Sequence, residues 1–520
     1  MRRERTGKAS RAGESRRTAE RQDNRLPARI LRDRGMYGEE PGINSIKDAS
    51  AGRRGNAQII MVTYAVVIVF MCMAGYIVYF MVNDSSEVIN NPYNKRRNIL
   101  AERIVRGSIY SSDGKVLAKT VTDSSGTEKR VYPYNDIFCH VTGRTANSMT
   151  GVELSQCYPL LTSHSNPLKQ LAVTFRGEKN LGDDVYTTLD AGLQQVAYNA
   201  LGNYKGAVVA LEPSTGKILA MVSKPGYNPN TVEDDWDTLV EDENSQSALV
   251  NRATQGLYPP GSTFKVLTAI EYILENRSSF RKYSYKCKGS ESFEGNVINC
   301  YGNEEHGGLD LSHSLAKSCN ASFANIGMSL DINSFRKLCN KFMFNQKLPV
   351  KFEYNQSKFL LDKKSGTDEI MQTVIGQGKT TITPLQNAMI AATIANNGEM
   401  MLPYVTDHTQ NETGQVVKTY EPVSNGNIID KETADIIGKY MMSVVEDGTA
   451  SSLSSFSYKV AGKTGSAEFD SEGTSHAWFI GYAPAKKPKI AVSIVLEGAG
   501  TGSQHAVPVA KEMFQNYLGS

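Results

Sequence analysis

A chain of 520 residues is longer than one compact core ordinarily fills, so two or three domains are expected. Its 40% hydrophobic and 21% charged content is that of an ordinary globular protein and excludes a low-complexity or fibrous chain. The net charge of +3 is too small to point to a partner as a whole-chain figure, but its distribution is informative.

Residues 1–57 hold 15 Lys/Arg against 8 Asp/Glu, with few large apolar residues and no clear period. They read as a basic, largely disordered tail. Residues 59–82 carry no charge. At about 1.5 Å per residue the run reaches roughly 36 Å, enough for a hydrocarbon core of about 30 Å. A membrane helix is therefore expected over 58–82. A tail flanking such a helix explains its own basic charge better than nucleic-acid binding would. The run is too long, and too far from the start, for a cleaved signal peptide. The basic leader places the N-terminus in the cytoplasm and residues 83–520 outside. Lys95, Arg96 and Arg97 on the far side oppose that rule slightly.

From 83 to 195 the text is strand-like and rich in turns. RGSIYSSDGKVLA (106–118) turns at Asp113-Gly114, and DVYTTLDAGLQQVAYNALG (184–202) reads as a strand entering a helix. GAVVALEPSTGKILAMVS (206–223) predicts a hairpin. A long, mostly helical middle comes next. YKVAGKTGSAEF (458–469), HAWFIGYAP (476–484) and KIAVSIVLEG (489–498) then read as three successive strands before a helix over 507–518. Strands at both ends of 196–520 imply one α+β domain whose sheet joins its first and last segments.

Seven cysteines occur. Cys72 lies in the apolar run, and Cys139, Cys157, Cys287, Cys300, Cys319 and Cys339 lie beyond it, where disulfides are permitted. Cys287 and Cys300 are close neighbours in a Gly/Ser/Asn-rich loop, and a bridge between them is a hypothesis. The seven histidines are scattered and no HExxH occurs, so neither a metal site nor a cofactor is expected.

Three motifs could carry chemistry. Ser262 follows Pro259-Pro260-Gly261, and Leu267, Ile270 and Leu274 give the next helix its apolar stripe. Backbone N–H groups at that helix start favour developing negative charge. Lys265, three residues on, lies on the same face and supplies a base if desolvation lowers its pKa. Alone this is weak, because Ser-x-x-Lys also occurs at Ser112, Ser214, Ser279, Ser314 and Ser334. Ser318-Cys319-Asn320 presents a hydroxyl and an amide between helical segments, although a helix cap would look the same. Lys463-Thr464-Gly465 lies in an apparent strand. There Gly465 lets a substrate backbone lie close, and the lysine and threonine suit a carboxylate.

In this order the motifs form the serine penicillin-recognising constellation. From about residue 100 onward the sequence resembles the monofunctional, class B penicillin-binding proteins. RGSIYSSDGKVLA, NRATQGLYPPGSTFK, GQGKTTITPLQ (376–386), VVEDGTAS (444–451) and VAGKTGSAEF carry the likeness. It implies an α+β penicillin-binding transpeptidase fold, a mainly antiparallel sheet flanked by helices. That fold would span 196–520 and stand on a β-rich pedestal over 83–195. It implies Ser262 as the acyl-accepting nucleophile, Lys265 as its base, and Ser318 and Lys463 as the proton route to the leaving amine. Asn320 would hold the substrate amide, Thr464 and Ser466 the terminal carboxylate, and the N–H groups of Ser262 and Ser466 the oxyanion. Ser466 stands where the family often has Thr, and Cys319 reads as packing.

The implied reaction is D,D-transpeptidation of peptidoglycan stem peptides, blocked by β-lactams, at a bacterial membrane. A polytopic glycan polymerase is the implied partner, and no nucleic acid. Competing readings are a D,D-carboxypeptidase or β-lactamase-like hydrolase, and a non-catalytic β-lactam-binding scaffold. A bifunctional class A protein is excluded by the roughly 120 residues before the transpeptidase part, too few for a glycan-polymerising domain. Elongation, division and sporulation remain open as the process served.

Overall fold

The computed structural model describes residues 45–83, 96–241, 246–469 and 473–519. Two units divide the chain near residue 82. In the first, one helix runs Ser45–Asn83 and contains a 24-residue stretch, Ala57–Phe80, long and apolar enough to cross a membrane. The helix begins before the expected 58. Once the apolar run has nucleated the helix, extending it back to Ser45 needs no second nucleus, even past Gly52 and Gly55. The remainder of the expected disordered tail, residues 1–44, lies outside the described residues.

The second unit is built on two sheets. The first has six strands in the spatial order 416–419, 406–410, 184–187, 109–110, 116–122 and 128–131. The expected turn is present: Gly114 has φ +76°, and its N–H donates to Ser111 O at 3.0 Å. The hairpin Thr406–Gln410/Val416–Thr419 returns from far down the chain to extend this sheet beside Asp184–Thr187. Short helices at Cys139–Thr142, Gly151–Ser155, Cys157–Leu160 and Pro167–Phe175 accompany it.

These helices and strands meet at a buried charge cluster. Glu153 is fully buried and accepts from Arg106 Nε at 2.6 Å and Arg130 Nε at 2.8 Å. Burial pushes its carboxyl up, but the two guanidiniums outweigh that and hold it below its ordinary value. Glu153→Ala strands two buried cations and is expected to cost about 3–5 kcal/mol, measured as a lower denaturation midpoint. Because the folded pKa is the lower one, Glu153 stabilises the fold above its unfolded pKa. That contribution is lost as pH falls through the folded value.

The second sheet holds the site. Five antiparallel strands run in the order 461–468, 475–483, 490–496, 206–211 and 218–224, so the domain's first and last segments join as expected. Strands Gly206–Leu211 and Ile490–Leu496 are buried at every residue, which is why they read as continuous apolar runs. Pro384–Ala395, buried along almost its whole length, covers one face; Gly502–Leu518 with Ala191–Ala200 covers the other. The last helix starts five residues before the expected 507. A Cβ at Gly502 would fall 2.1 Å from Trp478 O, so glycine lets the helix start lie against the strand. The middle is less helical than expected. It also holds a lobe of short strands at Tyr285–Cys287, Ser290–Phe293, Asn296–Asn299 and Gly307–Leu309.

Candidate active site

Ser262 lies in a 3₁₀ turn, Gly261–Phe264, which leads directly into the helix Lys265–Glu275. The turn is built by contacts no larger residue would permit. Gly261 has φ +56° and its N–H donates to Gly376 O at 2.8 Å. A Cβ at Gly376 would sit 1.9 Å from Gly261 O. Trp478 Nε1 donates to Pro259 O at 3.1 Å and Thr263 Oγ1 to Pro260 O at 2.8 Å, tying the turn to the sheet and to itself. Leu267 and Ile270 are fully buried below, as their spacing predicts.

Lys265 is fully buried beneath the turn. Its Nζ donates to Ser318 O at 2.7 Å and Asn320 Oδ1 at 2.6 Å, with Ser318 Oγ at 3.4 Å. Among the described residues no hydrogen bond joins it to Ser262. Burial pulls its pKa down to about 8. Lys463, also fully buried, donates to Ser318 Oγ at 2.8 Å and Thr464 O at 2.9 Å. Burial first, and then the charge of Lys265, push its pKa well down. Two amines thus converge on one hydroxyl, and among the described residues neither has a carboxylate paired with it.

Ser318 has φ +55°, a left-handed conformation that a serine adopts at a cost. Cys319 caps the next helix, its Sγ accepting from Ser322 N at 3.3 Å, and Asn320 opens that helix. Asn320 Nδ2 donates to Asn299 O at 2.9 Å. Its amide is therefore held at both ends, by the lysine and by the lobe.

Lys463, Thr464, Gly465 and Ser466 lie on the strand Ala461–Glu468. Ser262, Ser318, Asn320, Thr464, Gly465 and Ser466 all line one cleft of about 750 Å³. The eight residues singled out in the sequence therefore converge, six on the cleft wall and the two lysines buried behind it. Gly465 has a packing role beside the one expected of it. A Cβ there would meet Thr263 Cγ2 and Trp478 Cβ at 3.1 Å, so glycine makes room for the serine's turn.

Sequence reasoning passed over three groups. Thr449 Oγ1 lies 2.5 Å from Thr464 Oγ1 and shares the cleft wall. It belongs to VVEDGTAS, whose likeness to the family was the available signal. The loop Gly500–Ser503 lines the same cleft and carried no motif. Cys287, Cys300, His306 and Cys319 form a cluster with ligand atoms within 4.8 Å of one another, where no metal-ligand set was expected. Cys287 and Cys300 are unbridged, with their sulfurs 3.7 Å apart.

Known proteins resemble this chain along most of its length. Residues 206–516 match the family model of the penicillin-binding protein transpeptidase domain. The peptidoglycan D,D-transpeptidase PbpA of Mycolicibacterium smegmatis is 31% identical over 452 residues, covering 81% of this chain and 90% of its own. The peptidoglycan D,D-transpeptidase MrdA of Acinetobacter baumannii is 29% identical over 75% of this chain and 66% of its own. Among solved structures, penicillin-binding protein A from M. tuberculosis as a ceftriaxone acyl-enzyme complex aligns with a TM-score of 0.74 at 30% identity. That alignment covers 81% of this chain and 99% of the other. A D,D-transpeptidase domain from Eggerthella lenta aligns at 0.73 and 28%, covering 80% and 98%.

Proposed function

The chain belongs to the penicillin-binding transpeptidase family, as a monofunctional class B member, and from that premise we infer that it is a peptidoglycan D,D-transpeptidase acting through an acyl-enzyme on Ser262. The observation that carries the site assignment is the meeting of two buried lysines at Ser318, beside the turn that bears Ser262.

Ser262 Oγ attacks the carbonyl of the penultimate D-alanine of a donor stem. Lys265 takes the proton. The two N–H bonds of the neutral amine are matched by Ser318 O and Asn320 Oδ1, which leaves the lone pair to accept. The N–H groups of Ser262 and Ser466 steady the oxyanion. Ser318 hands a proton to the departing D-alanine amine and is resupplied through Lys463. An amine of a second stem then attacks the acyl-enzyme, the proton route runs in reverse, and a cross-link replaces the lost peptide bond. Asn320 holds the donor amide, and Thr464 with Ser466 receives the terminal carboxylate. A β-lactam acylates the same serine and occupies the site.

The single apolar helix fits a single-pass anchor. The same reading places residues 1–57 in the cytoplasm and 83–520 outside, divided into a pedestal to 195 and a transpeptidase domain from 196. The positive excess of the leader supports this orientation. A polytopic glycan polymerase is the proposed partner, met through the span and the pedestal.

The test is a peptide map of the full-length chain after benzylpenicillin. One adduct on the peptide containing Ser262 is expected. An adduct on another residue, with Ser262 unmodified, overturns the site assignment.

A further inference from the structure

The strand Ala461–Glu468 is the outermost of its five-stranded sheet. It pairs on one side with Ser475–Ala483, and among the described residues no strand pairs with its other edge. A free edge offers backbone N–H and C=O groups to an extended peptide. Side chains alternate along a strand, so Thr464, Ser466 and Glu468 stand in one row, and all three line the cleft. Thr464 and Ser466 have parts in the reaction described above. Glu468 has none.

The row also sets the direction of the donor stem. With its terminal carboxylate at Thr464 and its scissile carbonyl at the N–H of Ser466, the donor runs antiparallel to the strand, its upstream residues toward Glu468. The residue just upstream lies about 3.4 Å further along, and Glu468 about 6.7 Å beyond Ser466. A side chain of several carbons spans the remainder. Cross-linking requires a stem with a side-chain amine. Donor and acceptor stems are copies of one kind of molecule, so the donor carries that amine too, on the diamino residue before its D-alanine pair. At neutral pH it is an ammonium.

The Glu468 carboxylate is placed to receive it. It is exposed, and among the described residues no hydrogen bond or ion pair engages it. Glu304, the other carboxylate on the cleft wall, already faces His306 Nε2 at 3.7 Å. The strand end that carries Glu468 is braced. Phe469 stacks on His476 with ring centroids 4.2 Å apart and planes within 6°, and His476 Nδ1 accepts from Gly498 N at 3.2 Å.

We propose that Glu468 selects the donor stem by pairing with the ammonium of the diamino residue next to its D-alanine pair. The donor's placement rests on the reading of the cleft under Proposed function; the open carboxylate at the end of the row does not. A hydrated pair of this kind contributes up to about fivefold in affinity.

The experiment is competition. Two stem peptides ending in D-Ala-D-Ala, one with its side-chain amine free and one acetylated there, compete with a fluorescent penicillin for Ser262 of the full-length chain in detergent. The acetylated stem is expected to need about five times the concentration to halve the labelling rate. That ratio is expected to fall close to one in Glu468→Gln and to persist in Glu304→Gln. It should also shrink near 1 M salt, where screening acts within about 3 Å. Each ratio is taken within one protein, so a change in penicillin reactivity cancels, and a melting curve on the same sample reports folding. A parent ratio near one overturns the proposal without need of a variant. So does a fivefold ratio that survives in Glu468→Gln, or one lost in Glu304→Gln instead. All three leave the stem-peptide reading standing, whereas competition by neither stem overturns that reading and the proposal with it.

Discussion

Ser262→Ala is expected to abolish covalent labelling by a fluorescent penicillin and to lower transpeptidation by at least about 10⁴-fold, as loss of a nucleophile does in serine hydrolases. No neighbouring hydroxyl stands in for it. Thr263 is buried and donates to Pro260 O, and Ser318 already receives Lys463. Of the six Ser-x-x-Lys serines, only Ser262 lines the cleft. Ser112 instead donates to Leu189 O, and buried Ser314 donates to Asp310 O. Among the described residues the half-buried Ser262 hydroxyl holds no other group, so the variant's thermal midpoint should match the parent's, within about 0.5 kcal/mol of stability. Gel fluorescence with a melting curve on the same sample checks both halves.

Lys265→Met is expected to slow acylation by about 10²–10⁴-fold, the usual contribution of a positioned general base. Methionine nearly fills the lysine's volume, so the loss reads on proton transfer more than on packing. Ser318 O and Asn320 Oδ1 lose their donor, at a further cost of about 1–3 kcal/mol in stability. The pH profile separates the two effects. A lysine must lose its proton to act as a base, so the parent's acylation rate should rise with pH and level off above about 8, where burial has drawn the amine. Lys463 and Ser318 share that pocket, and Cys300 and Cys319 lie near enough to oppose the shift. The rising limb should vanish in Lys265→Met, whereas a merely structural residue would leave it in place. Stopped-flow acylation by a chromogenic β-lactam across pH measures it.

How far the structure could be read in advance depended on how local its cause was. The hairpin Gly206–Lys224 and the last three strands were legible because each is an apolar run bounded by turn residues. Thr406–Gln410 was not, because TDHTQ has no apolar run. Its strand is set by backbone pairing, with Val416–Thr419 nearby and with Asp184–Thr187 more than two hundred residues away. The eight candidate residues that converge at the cleft stood out as motifs in order, not singly. Nothing local shows that Ser318 turns left-handed, or that Gly465 packs against Thr263 and Trp478. The cysteine–histidine cluster was hidden for the same reason. Its members, at 287, 300, 306 and 319, lack the close pairing of a zinc ribbon, and the lobe's folding brings them together. The Cys287–Cys300 bridge was the local guess, and the structure leaves both as thiols with two further partners beside them.

Acylation of the Ser-x-x-Lys serine would be common to hydrolases of this constellation, so the transfer step is the decisive one. The direct measurement gives the full-length chain in detergent a D-Ala-D-Ala stem-peptide donor and an amine-bearing acceptor stem, with products resolved by mass spectrometry. The account predicts a cross-linked dimer that grows with acceptor concentration, released D-alanine, and neither in Ser262→Ala. Donor lacking its terminal D-alanine as the sole product, unaffected by acceptor, would contradict it.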